Sequence, residues 1–174
     1  MTLQAHTHVE AAKPQLIITR VIGAIPRLAF DAWTAPEHLA HWCGPTGFSL
    51  SSWEMVFRVG GSYRLCLRSP RGREHCVRGT FLEIIDMERI VFTHWRQKPE
   101  RSETPATLVM VRFAAEGPRT KVTLRHAGFD SDHARDLHQT FWEQSLARLV
   151  DYARSLRIWR VSRLPERSWR RARR

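Results

Sequence analysis

No run of apolar residues comes near the ~20 needed to cross a bilayer as a helix; the longest span only a few residues, as in Leu108–Val111. A helical membrane-spanning protein is therefore not expected. Cysteine is scarce: Cys43, Cys66 and Cys76 make an odd number with no Cys-x-x-Cys spacing. That pattern argues against a disulfide framework or a zinc ribbon and predicts inert, small core thiols in a reducing, cytoplasmic setting. The first fourteen residues carry His6, His8, Glu10 and Lys13 but no apolar stretch, so they do not read as a secretory signal. The chain also lacks Gly-x-Gly-x-x-Gly, a phosphate-binding loop, His-Glu-x-x-His and Gly-x-Ser-x-Gly. Dinucleotide, nucleotide, zinc-protease and elbow-serine chemistry drop out with them.

What is present is 174 residues, 43% hydrophobic and 26% charged, enough for one core of ordinary size. Lysine is rare, 25 of the 28 basic residues being arginine. The net charge of +11 is concentrated at one end: Arg154–Arg174 holds nine arginines against Glu166, while the remainder carries 19 bases against 16 acids. Basicity thus belongs to a tail, where weak contact with nucleic acid or an anionic membrane stays open.

Leu16–Ile22 is rich in β-branched residues and predicts a strand. Pro26 suits the first turn of a helix, and Leu28, Ala29, Ala32 and Trp33 fall at helical spacing before Pro36 opens a second short helix through Trp42. After the turn Gly44–Gly47 the period changes to two. Strands are predicted at Phe48–Phe57, Ser62–Arg68, Glu74–Ile85, Arg89–Gln97, Ala106–Ala114 and Thr120–His126, about seven with the first, in antiparallel order with one buried face. Beyond Gly128-Phe129, Asp130-Ser131-Asp132 caps a long helix whose stripe runs through Ala134, Leu137, Phe141, Ser145, Leu149, Ala153 and Leu156. The fold class is α+β, a curved antiparallel sheet of about seven strands around a long C-terminal helix, with two short helices after strand 1. The expected division is a leader over 1–14, a helix-grip domain over 15–157 and a basic tail over 158–174.

The segments Ala32–Glu37 with Leu39 and Trp42, Gly44-Pro45 with Phe48, Gly60–Tyr63, Arg78–Ile84, Glu88–Thr93, Thr120 with Leu124, His126 and Gly128-Phe129, and Trp142 with Leu146 and Leu149 carry a resemblance. From about Leu16 to Leu156 the chain resembles the START-like, birch-pollen-allergen-like helix-grip superfamily. Within it the match is to the branch named after the C-terminal domain of the activator of the heat-shock-protein-90 ATPase. Two positions depart from the pattern, Cys43 where a tryptophan is common and Phe141 where a glycine is. The resemblance implies binding of a small hydrophobic ligand by a carrier or sensor. The alternatives it leaves open are a cochaperone-like protein-interaction module and a cyclase- or hydrolase-type enzyme.

Trp42, Phe48, Tyr63, Phe92, Phe129 and Trp142 offer large apolar surface with polar handles, as a ligand pocket needs, and Trp95 does so too. A plain aromatic core is the alternative. His94 and His126 share the alternation of buried neighbours, and Glu83 sits in a segment that carries the resemblance, so all three are expected to project inward and to order a ligand's polar end. Trp42-Cys43 beside the short helices and Phe141-Trp142 on the long helix mark the expected way in, with Tyr63 joining His94 and His126 at the ligand's polar end. No catalytic residue, cofactor or metal is assigned; His38, His41 and Cys43 lack a fourth ligand at matching spacing. A protein partner and a homodimer stay open.

Overall fold

The computed structural model describes residues 13–96 and 106–161. The predicted leader before residue 13, the charged loop over 98–105 and the tail beyond 161 lie outside the described residues. Among those described, strand β1 (Gln15–Ile22) buries Leu16, Ile18 and Ile22 and turns Ile17 and Val21 outward. Helix α1 (Pro26–Thr34) and helix α2 (Pro36–Trp42) each begin with proline, whose missing N–H is an orphan donor there in any case. Strands β2 (Ser49–Met55), β3 (Ser62–Arg68), β4 (Glu74–Ile85), β5 (Arg89–Arg96), β6 (Thr107–Glu116) and β7 (Arg119–Ala127) follow, then helix α3 (Asp132–Val161). The helix runs past the expected domain boundary at 157.

The seven strands form one antiparallel sheet in the order β1-β7-β6-β5-β4-β3-β2. Its inner face buries Val109, Val111 and Phe113 of β6 against Val122, Leu124 and His126 of β7, as the alternation required. Helix α3 closes that face with Trp142, Ser145, Leu146, Leu149 and Ala153. Ser131 caps the helix, its Oγ accepting from the Ala134 N–H at 3.2 Å. The predicted stripe is shifted by one residue in the first turns. Leu137 is 56% exposed, because a 3.6-residue path from Ala134 to Trp142 passes through His138.

Two details shape the floor of the grip. Gly79 pairs with Tyr63, and a Cβ at Gly79 would lie 1.8 Å from the Thr93 carbonyl oxygen and 2.6 Å from Tyr63 Cε1. Only glycine lets the tyrosine ring lie across β4. In β4 a bulge between Phe81 and Glu83 shifts the pairing with β5. Phe81 stays inside, Leu82 is 49% exposed, and Ile84 turns toward the core.

The cysteine expectation is corrected. Cys66 and Cys76 face each other across β3 and β4 and form a disulfide, leaving Cys43 as the free, buried thiol. An odd count excludes neither arrangement, since one pair plus one free thiol is also odd. The pairing depends on a register that spacing did not reveal. The predicted absence of a membrane-spanning helix stands: no helix among the described residues is long and apolar enough to cross a membrane.

Candidate functional site

Where the sheet curves away from α3, the inner face leaves a cavity of about 60 Å³. Its walls come from Trp33 of α1, Leu39 and Trp42 of α2, and Phe141 and Trp142 of α3. Its floor is the inward side of the sheet, chiefly Tyr63, Leu65 and Leu67 of β3, Phe81 of β4, and Phe92 and His94 of β5. Trp33 packs against Trp42 at 4.7 Å and stacks on Trp142 at 6.1 Å between ring centroids. Met55, Val77 and Phe141 are half-buried and mark where the cavity nears solvent.

The polar groups lie toward β5. The Tyr63 hydroxyl donates to the Thr93 carbonyl at 3.0 Å and lies 3.3 Å from His94 Nδ1. Its single proton goes to the shorter contact, so the phenol accepts from His94 Nδ1–H. Behind His94 a directed chain closes the sheet against α3. The Trp142 indole N–H donates to His126 Nδ1 at 3.0 Å, His126 Nε2 lies 2.7 Å from Thr107 Oγ1, and that hydroxyl donates to the His94 carbonyl at 2.7 Å. With Nδ1 already accepting, His126 is the neutral Nε2–H tautomer.

Electrostatics agree with that assignment. Burial, with the nearby His138, holds His94 down to about 3, and burial, with His94 and His138, holds His126 down to about 2. Burial also lowers His138, against the opposing pull of the Ala134 carbonyl its ring contacts at 2.8 Å. The Cys43 thiol is pushed up to about 12 by burial, and burial likewise raises the Tyr63 phenol. The cavity at neutral pH thus holds an un-ionised thiol, phenol and imidazole. These are hydrogen-bonding groups rather than an activated nucleophile.

A latch fixes the segment between α2 and β2. One guanidinium nitrogen of Arg148, Nη1, donates to the carbonyls of Gly44, Pro45 and Phe48, while Nη2 donates to that of His41. Ser145 Oγ accepts from the Gly44 N–H at 3.1 Å, and Gln144 Oε1 accepts from the Thr46 N–H at 3.2 Å. The loop that follows Cys43 is thereby tied to α3 beside Phe141.

Of the residues singled out in the sequence, Trp42, Cys43, Tyr63, Phe92, His94, Phe141 and Trp142 line the cavity. His126 and Phe129 are buried beside it, ring against ring at 4.5 Å, and reach it through Trp142 and His94. Phe48 packs on His75 at the outer end of β4, and Trp95 lies on the other face of β5 under the Arg78 guanidinium. Glu83 is not brought in. The β4 bulge turns it to the outer face, where it accepts from Arg89 at 2.6 Å. His38 and His41 meet Tyr152, the first through a 2.6 Å contact from its Nδ1 to the hydroxyl. No cluster of three or more His, Cys, Asp or Glu among the described residues could hold a metal. Trp33, Leu39, Met55, Leu65, Leu67, Val77, Phe81 and Ile90 also line the cavity and were not predicted to do so. The inward alternation of β3 and β5 was the available signal for Leu65, Leu67 and Ile90.

An antiparallel sheet closed around a terminal helix, with an apolar chamber between them, defines the START-like helix-grip class. The chain belongs to the family of Activator of Hsp90 ATPase homolog 1-like proteins, whose profile matches residues 24–154. It is similar in fold to the AHSA1 protein of Silicibacter pomeroyi, at 20% identity and a TM-score of 0.74 over 84% of this chain and 99% of that one. A protein from Nitrosomonas europaea superposes with a TM-score of 0.71 at 21% identity, over 86% of this chain and 99% of that one. One from Chromobacterium violaceum does so with a TM-score of 0.67 at 23% identity, over 79% and 96%. At these identities the likeness is one of fold. No curated protein matches the chain.

Proposed function

We propose that this protein is a carrier or sensor of a small hydrophobic molecule, held between the sheet and α3 with its polar end toward Tyr63 and His94. The observation that carries the reading is the chamber itself: an aromatic cavity that meets buried hydrogen-bonding groups rather than more packed side chains. His126 has both nitrogens engaged, so its part is to orient Trp142 and the β5 backbone. Burying ~200 Å² of apolar ligand surface would yield about 5 kcal/mol before ordering costs. The volume sets a condition. A cavity of ~150 Å³ takes benzene, and about 60 Å³ takes less, so a ring-sized ligand needs the half-buried Phe141 to swing outward.

The proposal includes a grip domain over 15–157 with flanking leader and tail, and a cytoplasmic setting in which the Cys66–Cys76 pair would be kept reduced. Native mass spectrometry of protein from its own host, compared with denaturing spectra, tests the carrier reading. A non-covalent mass of a few hundred daltons, lost in a Val77→Phe variant with unchanged circular dichroism, is the expected result. An empty spectrum that stays empty with the residues after 157 removed would overturn it in favour of the protein-interaction module.

A further inference from the structure

Cys66 and Cys76 lie on the side of the sheet turned away from the cavity. Their chain neighbours Leu65 and Leu67 on β3 and Val77 on β4 line the cavity, and successive residues of a strand point to opposite faces. The register that sets the two sulfurs opposite each other therefore builds a dithiol on the outer face, apart from any ligand held against α3.

The two sulfurs are not equivalent. Cys66 is only 1% exposed, whereas Cys76 is half-buried and reachable from solvent. The Arg64 guanidinium is on Cys76, its Nη2 donating to that sulfur at 3.3 Å. Around them on the same face stand Arg68 and Arg78, with Glu54 opposite Arg64 on the edge strand β2 and Glu74 paired to Arg68 at 3.2 Å. Three arginines against two carboxylates leave the surroundings of Cys76 positive, with a guanidinium nearest the sulfur. A cation in that position favours the thiolate, which is the form of cysteine that attacks an oxidant.

We infer that the pair is an oxidant-sensing site for hydroperoxides, in which Cys76 is the attacking thiol and Cys66 the resolving one. The Cys76 thiolate attacks a peroxide oxygen, the O–O bond breaks, and with one proton a water leaves, so that Cys76 becomes a sulfenic acid. The Cys66 thiol then attacks that sulfur. The S–S bond forms, the S–O bond breaks, and the hydroxyl departs with the Cys66 proton as a second water. Two thiols are oxidised and one hydrogen peroxide is reduced. In the cytoplasmic setting proposed above the pair rests reduced, and cellular thiols return it to that state. The site goes beyond the carrier reading and does not depend on it.

The test uses the whole chain, reduced with dithiothreitol, desalted and treated with one equivalent of hydrogen peroxide. Dimedone, which traps sulfenic acid, is located by peptide mass mapping. The expected product is the Cys66–Cys76 disulfide, lower in mass by two hydrogens, with a dimedone adduct on Cys76 when the trap is present. Cys66→Ser should accumulate that adduct, and Cys76→Ser should leave Cys66 unlabelled. The buried Cys43, whose thiol burial pushes up to about 12, is the unreactive reference within the same molecule. Arg64 is a positioning residue: Arg64→Gln should slow iodoacetamide alkylation of reduced Cys76 at neutral pH about tenfold and move its rate profile to higher pH, and Arg64→Lys should restore part of both. Labelling of Cys66 in place of Cys76, reaction of Cys76 with peroxide no faster than that of Cys43, or an Arg64→Gln profile identical to the parent's overturns the inference. Should a variant fail to fold, the position of the dimedone adduct in the wild type still decides which thiol attacks.

Discussion

Lowering the pH should weaken this fold well before carboxylates protonate, because His94 and His126 are kept neutral inside it. In the unfolded chain each takes up a proton near its ordinary value of 6.5, whereas in the folded state burial holds them down to about 3 and about 2. Between those limits the unfolded state binds more protons, so stability is fully present above pH 6.5 and falls as the pH drops. Each histidine contributes a slope of ~1.4 kcal/mol per pH unit. Moving from about pH 8 to about pH 5 therefore removes about 2 kcal/mol per histidine, with about 4 kcal/mol as the ceiling for the pair. His138 acts in the same direction. Glu74, held below the usual carboxylate range by Ser51 and Arg68, loses its contribution only at pH values lower than this window. The groups facing the pair are Tyr63 from β3, Thr107 from β6, and His138 and Trp142 from α3, none of which supplies a compensating negative charge. Urea unfolding followed by tryptophan fluorescence at about pH 8, 6.5 and 5 measures the slope. His94→Asn keeps a polar atom near Tyr63 but cannot take up the proton, and should flatten the slope by one histidine's share. A stability that does not change across this range, or a slope unaltered in His94→Asn, would refute the reasoning.

Gly79→Ala should cost about 3 kcal/mol or more, because its Cβ would collide with the Thr93 carbonyl and the Tyr63 ring; a melting temperature within a degree or so of the parent would show that β4 has slack there. Opening the Cys66–Cys76 disulfide, which closes a short loop with a sequence separation of 10, should remove up to about 3 kcal/mol, read as a lower urea midpoint with dithiothreitol; identical midpoints with and without reductant would contradict it. Arg148→Ala frees four carbonyls of the α2–β2 segment. It should destabilise the protein by about 2 kcal/mol and expose residues 43–48 to limited proteolysis, while Arg148→Lys recovers part of the loss. Thr107→Val leaves the His126 N–H without its acceptor and should cost about 1–3 kcal/mol; a neutral substitution would show that His126 takes another partner.

Periodicity alone sufficed for the order of elements. Helix and strand each have a fixed repeat, and the buried sides of Val109-Val111-Phe113 and Val122-Leu124-His126 could be read straight from the alternation. Proline at the starts of α1 and α2 and the polar residues before α3 marked helix starts for equally local reasons. His94 was legible as an inward residue from the same alternation, whereas Tyr63 and Trp142 were singled out as aromatics within segments that carry the family resemblance.

What escaped that reading depended on register and on distance in space. One extra residue in β4 turned Glu83 outward to Arg89, and no period-two pattern can anticipate a bulge. The disulfide required Cys66 and Cys76 to be opposite each other, which the β3–β4 register alone determines. Leu137 and His138 exchanged roles because the angle at which α3 crosses the sheet is a property of packing. The cavity itself is space left over between a curved sheet and a helix. The chain order determined which side chains could reach that space, and only the tertiary structure decided that Trp33, Trp42 and Trp142, among seven tryptophans, would come together to line it.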